Sequence, residues 1–241
     1  MLAVIAGYDE LDPTTINTPV SDYRRSLNMQ TSNLRLSLLQ HPFFDSLDPE
    51  IARAIDAAIV VLRKLTASVK DVELPPTAIP LDQIYVDVRS VEVYAYHSQW
   101  LAEVSAKYGA TTRQRLVENA ADVQPSAYAQ SRRQLELLRR QIKTTFAEVD
   151  LLVTPTTSLL PAKIADNVDS KGRLKYPLGI RNTAPFDVLG VPAISVPCGF
   201  TTSGLPVGLQ IAGAPFAEST VVALAHAYER ETEWHRRNPL V

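Results

Sequence analysis

Residues 178–217 read LGIRNTAPFDVLGVPAISVPCGFTTSGLPVGLQIAGAPFA and carry only two formal charges, Arg181 and Asp187. Gly190, Gly199, Gly204, Gly208 and Gly213 punctuate the stretch, interleaved with Pro185, Pro192, Pro197, Pro206 and Pro215. A segment this apolar is expected as buried sheet with tight turns, because exposed it would promote aggregation. Residues 193–196 and 207–211 read as its strands, joined as a hairpin through Gly199 to Gly204.

Outward from it, residues 150–153 read as a further buried strand ended by Pro155, and 161–176 as a polar connection with a surface turn at Lys171-Gly172-Arg173. Downstream, a helix over 218–233 turns Val221, Leu224, Ala225 and Tyr228 inward. Upstream, residues 34–39 (LRLSLL) and 69–74 read as strands on either side of a helix that Asp48-Pro49 opens. Ile51, Ala54, Ile55, Ala58, Leu62 and Leu65 keep its 3.6-residue period. Strand, helix, strand at this spacing makes 33–75 a βαβ unit with parallel strands. Residues 81–149 read as a mainly helical cover. The first helix, 82–107, places Ile84, Val88, Val91, Ala95 and Leu101 on related faces, and a short one follows at 112–118. A second long helix from Pro125 aligns Tyr128, Leu135, Leu138, Ile142 and Phe146; Arg132, Arg133, Arg139, Arg140 and Lys143 form its solvated face. The fold class is therefore α/β, a mixed twisted sheet covered by helices.

Bulk properties narrow the function. The chain has 241 residues, 46% hydrophobic, with a net charge of −2. That argues against a nucleic-acid partner, which would bring a basic surplus. One cysteine, Cys198, fits a reducing, cytoplasmic setting without a disulfide framework. No apolar run approaches the roughly 20 residues of a membrane helix. The start, MLAVIAGYDELD, has no basic region of a leader and reads as the last turn of a helix begun earlier, so the chain is expected to be the back half of something longer. Residues 9–20 are a loop by composition.

Candidate chemistry is sparse. Cys198 with His97, His226 or His235 could form a nucleophile–base pair, but a cysteine ending a buried strand reads first as a small hydrophobe. The four histidines are scattered and suggest no metal site, and no glycine pattern for a nucleotide cofactor follows a strand. Arg181, Asn182, Thr183, Phe186 and Asp187 are the candidate substrate contacts, lying beside apolar strand ends where open α/β sheets place ligands. Arg181 could hold a carboxylate or carbonyl, and Asn182 or Thr183 could hydrogen-bond it. Alternatively these groups tie down an irregular buried loop whose backbone needs partners.

Several motifs in order carry a resemblance: Asp150-Leu-Leu-Val-Thr-Pro-Thr157, Asn182-Thr-Ala-Pro-Phe-Asp187, Gly190-Val-Pro-Ala-Ile-Ser-Val-Pro197, Gly204-Leu-Pro-Val-Gly-Leu-Gln-Ile-Ala-Gly213 and Trp234-His235. With Ala6-Gly-Tyr-Asp9, Asp12-Pro-Thr14 and Leu47-Asp-Pro-Glu50 upstream, the chain resembles the C-terminal portion of the amidase signature family over essentially its whole length. The resemblance implies carboxamide hydrolysis or amidotransfer by a serine nucleophile, a second serine in a cis peptide and a lysine, with the oxyanion held by a Gly/Ser-rich loop. The family segment that supplies these contains Gly-Gly and Ser-Ser pairs. This sequence has neither, and its Ser158, Ser170, Ser195 and Ser203 stand isolated, Ser195 inside an expected buried strand.

No catalytic residue is therefore transferred. By resemblance the chain, 1–241, is a partial amidase-like domain that supplies sheet, helical cover and one wall of the substrate pocket. The family often has Asn where Asp187 stands. Thr66-Ala67-Ser68 replaces the family's Gly-containing turn, so that helix end should lack its left-handed cap. The expected partners are the missing N-terminal amidase half, or a second copy through an exposed sheet edge; an amide substrate is expected only if the fold is completed. Two alternatives stand beside this reading: an amidotransferase-type protein that acts on glutamine, and a non-catalytic remnant or interaction subunit.

Overall fold

Five strands form one mixed sheet that sorts its side chains between two cores by the period-2 alternation of each strand. The structure, a computed structural model, describes residues 1–163, 166 and 180–237. The expected surface turn at 171–173 lies outside the described residues.

In chain order the elements are α1 (Leu2–Ile5), α2 (Tyr23–Ser26), β1 (Arg35–Leu39), α3 (Pro49–Leu65), β2 (Ser68–Val72), α4 (Leu81–Val104), α5 (Ala110–Ala121), α6 (Pro125–Glu148), β3 (Leu151–Pro155), α7 (Ala184–Leu189), β4 (Ala193–Phe200), β5 (Pro206–Gly213) and α8 (Glu218–Glu231). The strand order is β2-β1-β3-β5-β4. β1 runs parallel to β2 and to β3, while β5 is antiparallel to β3 and β4.

Central β3 shows the sorting best. Leu151 and Val153 face one side, where they meet Leu36 and Leu38 of β1, Leu209 and Ile211 of β5, and the inward faces of α3 and α8. Leu152 faces the other, where it meets Leu39, Ala212 and the buried residues Ile84, Leu138, Ile142, Phe186 and Leu189 of α4, α6 and α7. Each fully buried aliphatic side chain contributes about 2 kcal/mol by removal from water. α3 begins as its sequence dictates: Asp48 accepts from the Glu50 N–H at 2.8 Å, and Pro49 occupies the first turn.

Several expectations are corrected. Residues 184–189 are not sheet but the short helix α7, because Thr183-Ala-Pro places Pro185 in a first turn and Gly190 (φ 66°) ends it left-handed. The β4–β5 hairpin continues to Phe200 and turns at residues 201–205, closed by the Thr201 N–H donating to the Leu205 carbonyl at 2.8 Å. The α3 end indeed lacks a left-handed cap, since Thr66 is extended; its hydroxyl donates to the Leu62 carbonyl at 2.8 Å instead. α4 leaves the core after Val91. Ala95 is exposed and Leu101 only half-buried, while Asp87 adds a polar tie between α4 and α6, accepting from Ser131 of α6 and from Gln83 of its own helix, both at 2.6 Å. α8 stops at Glu231, and Trp234–Arg236 forms a separate single turn.

The first residue of β1 and the residue just before neighbouring β3 are locked by charge. Asp150 accepts from the Arg35 N–H at 2.7 Å and from its guanidinium at 2.9 and 3.2 Å. Arg35 thereby holds the Asp150 carboxyl below the usual carboxylate range. A depressed folded pKa contributes stability above the unfolded value and loses it as pH falls through the folded one. Asp150→Asn should therefore lower the urea midpoint at neutral pH, and its deficit against the natural chain should close as pH falls below about 4. A deficit independent of pH would assign the effect to shape rather than charge.

Candidate active-site wall

The parallel strands β1, β2 and β3 all end at one edge of the sheet, where open α/β folds place ligands. The exits of β1 and β2 shape a cavity of about 400 Å³ there. His41 and Pro42 after β1, Glu73 to Thr77 after β2, the α4 entry at Pro80 to Asp82, and Arg181 with Pro185 before and within α7 line it. Prolines dominate its walls because segments leaving a strand cannot continue the ladder, and Pro carries no N–H that would need a partner.

The expected residues occupy different positions around this wall. Asn182 is completely buried. Its amide nitrogen donates to the Phe43 carbonyl beyond β1 and to the Pro155 carbonyl ending β3, both at 2.9 Å. The Asn182 backbone carbonyl accepts from Gln210 of β5 at 2.8 Å, and Gln210 also donates to Thr154 at 2.9 Å. Both amide hydrogens of Asn182 are thus engaged by the chain itself, which is the tying role weighed for it.

Arg181 is half-buried and reaches the cavity. Its Nε donates to Asn182 Oδ1 at 3.4 Å, and a terminal nitrogen donates to the Asp45 carbonyl. Five N–H donors on one guanidinium leave further donors beyond these two bonds. The Thr183 hydroxyl donates to the Ile180 carbonyl at 3.4 Å. Phe186 is buried, its ring 5.6 Å from that of Phe43, so it packs the loop rather than facing the cavity. The Asp187 side chain is exposed at its tip, and partial burial raises its carboxyl above the usual range.

Two residues of this wall escape the sequence reading. Arg139, expected on the solvated face of α6, turns inward and donates to the Val188 and Asp187 carbonyls at 2.9 and 3.3 Å, satisfying the C-terminal end of α7. Nothing in its basic neighbourhood marks it out. Gln210 does carry a signal, as a lone amide between apolar residues of a buried strand. Ser195 is also corrected: it is exposed, because β4 is the outer strand and its Ser195 face is uncovered. Its hydroxyl lies 2.7 Å from that of Thr156, and a Cβ on Gly208 would come within 2.7 Å of both, so glycine is required there. Ser158 Oγ is buried without a hydrogen-bond partner among the described residues.

Cys198 faces the α3–α8 core at 1% exposure, and burial pushes its thiol up to about 12. It stays protonated at neutral pH and is a packing group, not a nucleophile. His97 is paired instead with the Tyr108 hydroxyl at 2.8 Å. The site as described can bind and orient a polar group through Arg181, but it brings together no nucleophile with a base.

Comparison with known proteins places these features. A family model described as Amidase matches residues 1–222. The chain is 30% identical to a glutamyl-tRNA(Gln) amidotransferase subunit of Geobacter sp. (strain M21), covering 100% of this chain and 54% of that protein. It is 32% identical to an amidase of Pseudomonas putida, covering 99% and 52%. Among solved structures, a bacterial aryl acylamidase of the amidase signature family superposes with a TM-score of 0.79 at 23% identity over 99% of this chain and 53% of that one. A peptide amidase in complex with chymostatin gives 0.76 at 27% identity, over 100% and 52%. The chain spans about half the length of the curated relatives it matches.

The Asn182 bonds make the wall's integrity measurable. Asn182→Ala orphans two buried carbonyls and should cost about 2–4 kcal/mol in urea unfolding. Asn182→Asp replaces the donor with an acceptor facing two carbonyl oxygens, and should be no milder.

Proposed function

The chain belongs to the amidase signature family, and on that premise we propose that it is the C-terminal portion of a carboxamide hydrolase acting on non-peptide C–N bonds. It supplies sheet core and one pocket wall and is inactive without the rest of the fold. The observation that carries the reading is the combination of coverage and content. The chain matches the family from residue 1 to 222 yet spans about half of its relatives, and its sequence holds no Gly-Gly or Ser-Ser pair. By resemblance those pairs belong to the segment that supplies the serine nucleophile, its cis-serine and lysine partners, and the oxyanion donors.

On this reading Arg181 faces the substrate, Thr183 and Asp187 border it, and Asn182 with Phe186 holds the wall in place. A guanidinium in a proline-lined cavity suits a substrate carbonyl or carboxylate. Amide cleavage is then a joint property. The missing half attacks and protonates, and this half orients the substrate, a contribution that reaches several kcal/mol when geometry is held. Similarity to a glutamyl-tRNA(Gln) amidotransferase favours a second reading, in which the amide is that of glutamine and the ammonia is passed on. A single cysteine, free and buried, fits a cytoplasmic setting. Among the described residues no helix is long and apolar enough to cross a membrane.

Two measurements test this. The purified 241-residue chain should hydrolyse neither aryl amides, aliphatic amides nor glutamine above buffer background, and Cys198→Ala should change nothing. Turnover by the pure chain would overturn the reading. The chain should also bind a hydrophobic dye or self-associate, because Leu11, Ile16 and Phe216 stand 92%, 58% and 59% exposed; a dye-silent monomer would count against a half-fold.

A further inference from the structure

The turn between β5 and α8 holds a residue that neither the turn nor the core calls for. The Ala217 N–H donates to the Ala214 carbonyl at 2.9 Å, closing a four-residue turn with Pro215 second and Phe216 third. Phe216 has φ 65°. Proline before a residue of positive φ defines a type II turn, whose third position suits glycine or asparagine. A bulky side chain is disfavoured there, and such outliers point to a use for the side chain. The ring finds no compensation in the core, since Phe216 is 59% exposed.

Phe216 instead borders a cleft of about 430 Å³ between this turn and the N-terminal segment. Ile16, Val20 and Tyr23 supply its apolar wall, and Glu218 is the one formally charged residue among those that line it. Ile16 and Val20 are themselves exposed, at 58% and 42%. A cleft of mixed apolar and hydroxyl lining, with an aromatic side chain held out beside it by a strained turn, is the form of an interface anchor.

We infer that Phe216 is the anchor by which this chain engages the other half of the amidase fold, and that the cleft beside it, where Thr14, Thr15, Thr18 and Ser21 stand among the apolar residues, receives a segment of that half offering both apolar and hydrogen-bonding groups. The inference rests on the half-fold reading above. The occupant follows from coverage: relatives carry roughly as much chain again as is present here, 46% to 48% of their length lying outside the match (100 − 54 and 100 − 52). That material must pack somewhere on this surface, and here an exposed aromatic residue and an open cleft adjoin.

The test uses the part of the Pseudomonas putida amidase outside the matched region, produced as a separate polypeptide. Its binding to the natural chain and to Phe216→Gly is measured by calorimetry, and the Tm of each chain is measured alone. The expected result is a split. Phe216→Gly leaves Tm unchanged or higher, because glycine suits the turn, while binding weakens at least tenfold. Ile16→Ser, on the facing wall, should weaken binding in the same direction with little change in Tm. Equal binding by Phe216→Gly would overturn the anchor and leave the half-fold reading standing. A Tm lowered by several degrees would also overturn it, by showing that the ring packs within the chain. Failure of the natural chain to bind, with no gain of amide hydrolysis, would overturn the half-fold reading itself and the anchor with it.

Discussion

One buried amide organises the edge of the sheet where the cavity lies. Strands β1 and β3 stop side by side, and one side chain meets both the Phe43 carbonyl beyond β1 and the Pro155 carbonyl at the end of β3. Water cannot reach them, so each would cost about 1–3 kcal/mol if unpaired. Asn182 meets both with its side-chain nitrogen, and its backbone carbonyl is met in turn by Gln210 from β5. Three strands are thereby joined at a point that is no part of the ladder. The position of Arg181, the start of α7 and the contact of Phe186 with Phe43 all follow from where this amide sits. At the other end of α7, Arg139 and Gly190 do the complementary work, meeting its last carbonyls and turning the chain into β4.

The two faces of the sheet are unequally covered, and this inequality is what makes the half-fold reading physical. One face is aliphatic from β1 to β4 and lies beneath α3 and α8. On the other, α4, α6 and α7 cover β1 and β3 and reach Ala212 of β5, while toward β4 the face carries Gly208 and the Thr156–Ser195 hydroxyl pair, with Ser195 exposed. Outer strand β4 has a partner on one side only among the described residues. Natural sheets normally cover or blunt such an edge. On the proposed reading the rest of the fold does so, and the exposed Ile16 and Phe216 belong to the same unmet surface.

Much of this architecture is legible in the residues. Period-3.6 and period-2 patterns mark α3, α6 and β1, because each element buries one stripe or alternates between two cores. Asp48-Pro49 marks the start of α3, because capping is a local matter of one side chain and two amides. The family is legible too, because its motifs lie in order along one strand–turn–strand segment. Less legible is α7, hidden in residues 178–217 because a six-residue run, five of them apolar, fits a buried strand as well as a single helical turn and a half. The length of α4 against the sheet is hidden as well: its apolar residues continue past Val91, yet Ala95 is exposed and Leu101 only half-buried.

The sequence alone determined the mixed α/β class, the parallel β1–α3–β2 unit, the burial of Cys198 and the family, since each follows from local spacing or from ordered motifs. Only the tertiary structure decided what the polar residues of the wall do. Asn182 and Arg139 differ little in sequence from residues that face a ligand or water. Their roles follow from which distant carbonyls, 139, 27, 48 and 49 residues away, the fold brings within hydrogen-bonding reach. The same holds for Phe216: its letter is an ordinary hydrophobe, and only the backbone around it shows a ring turned outward at φ 65°.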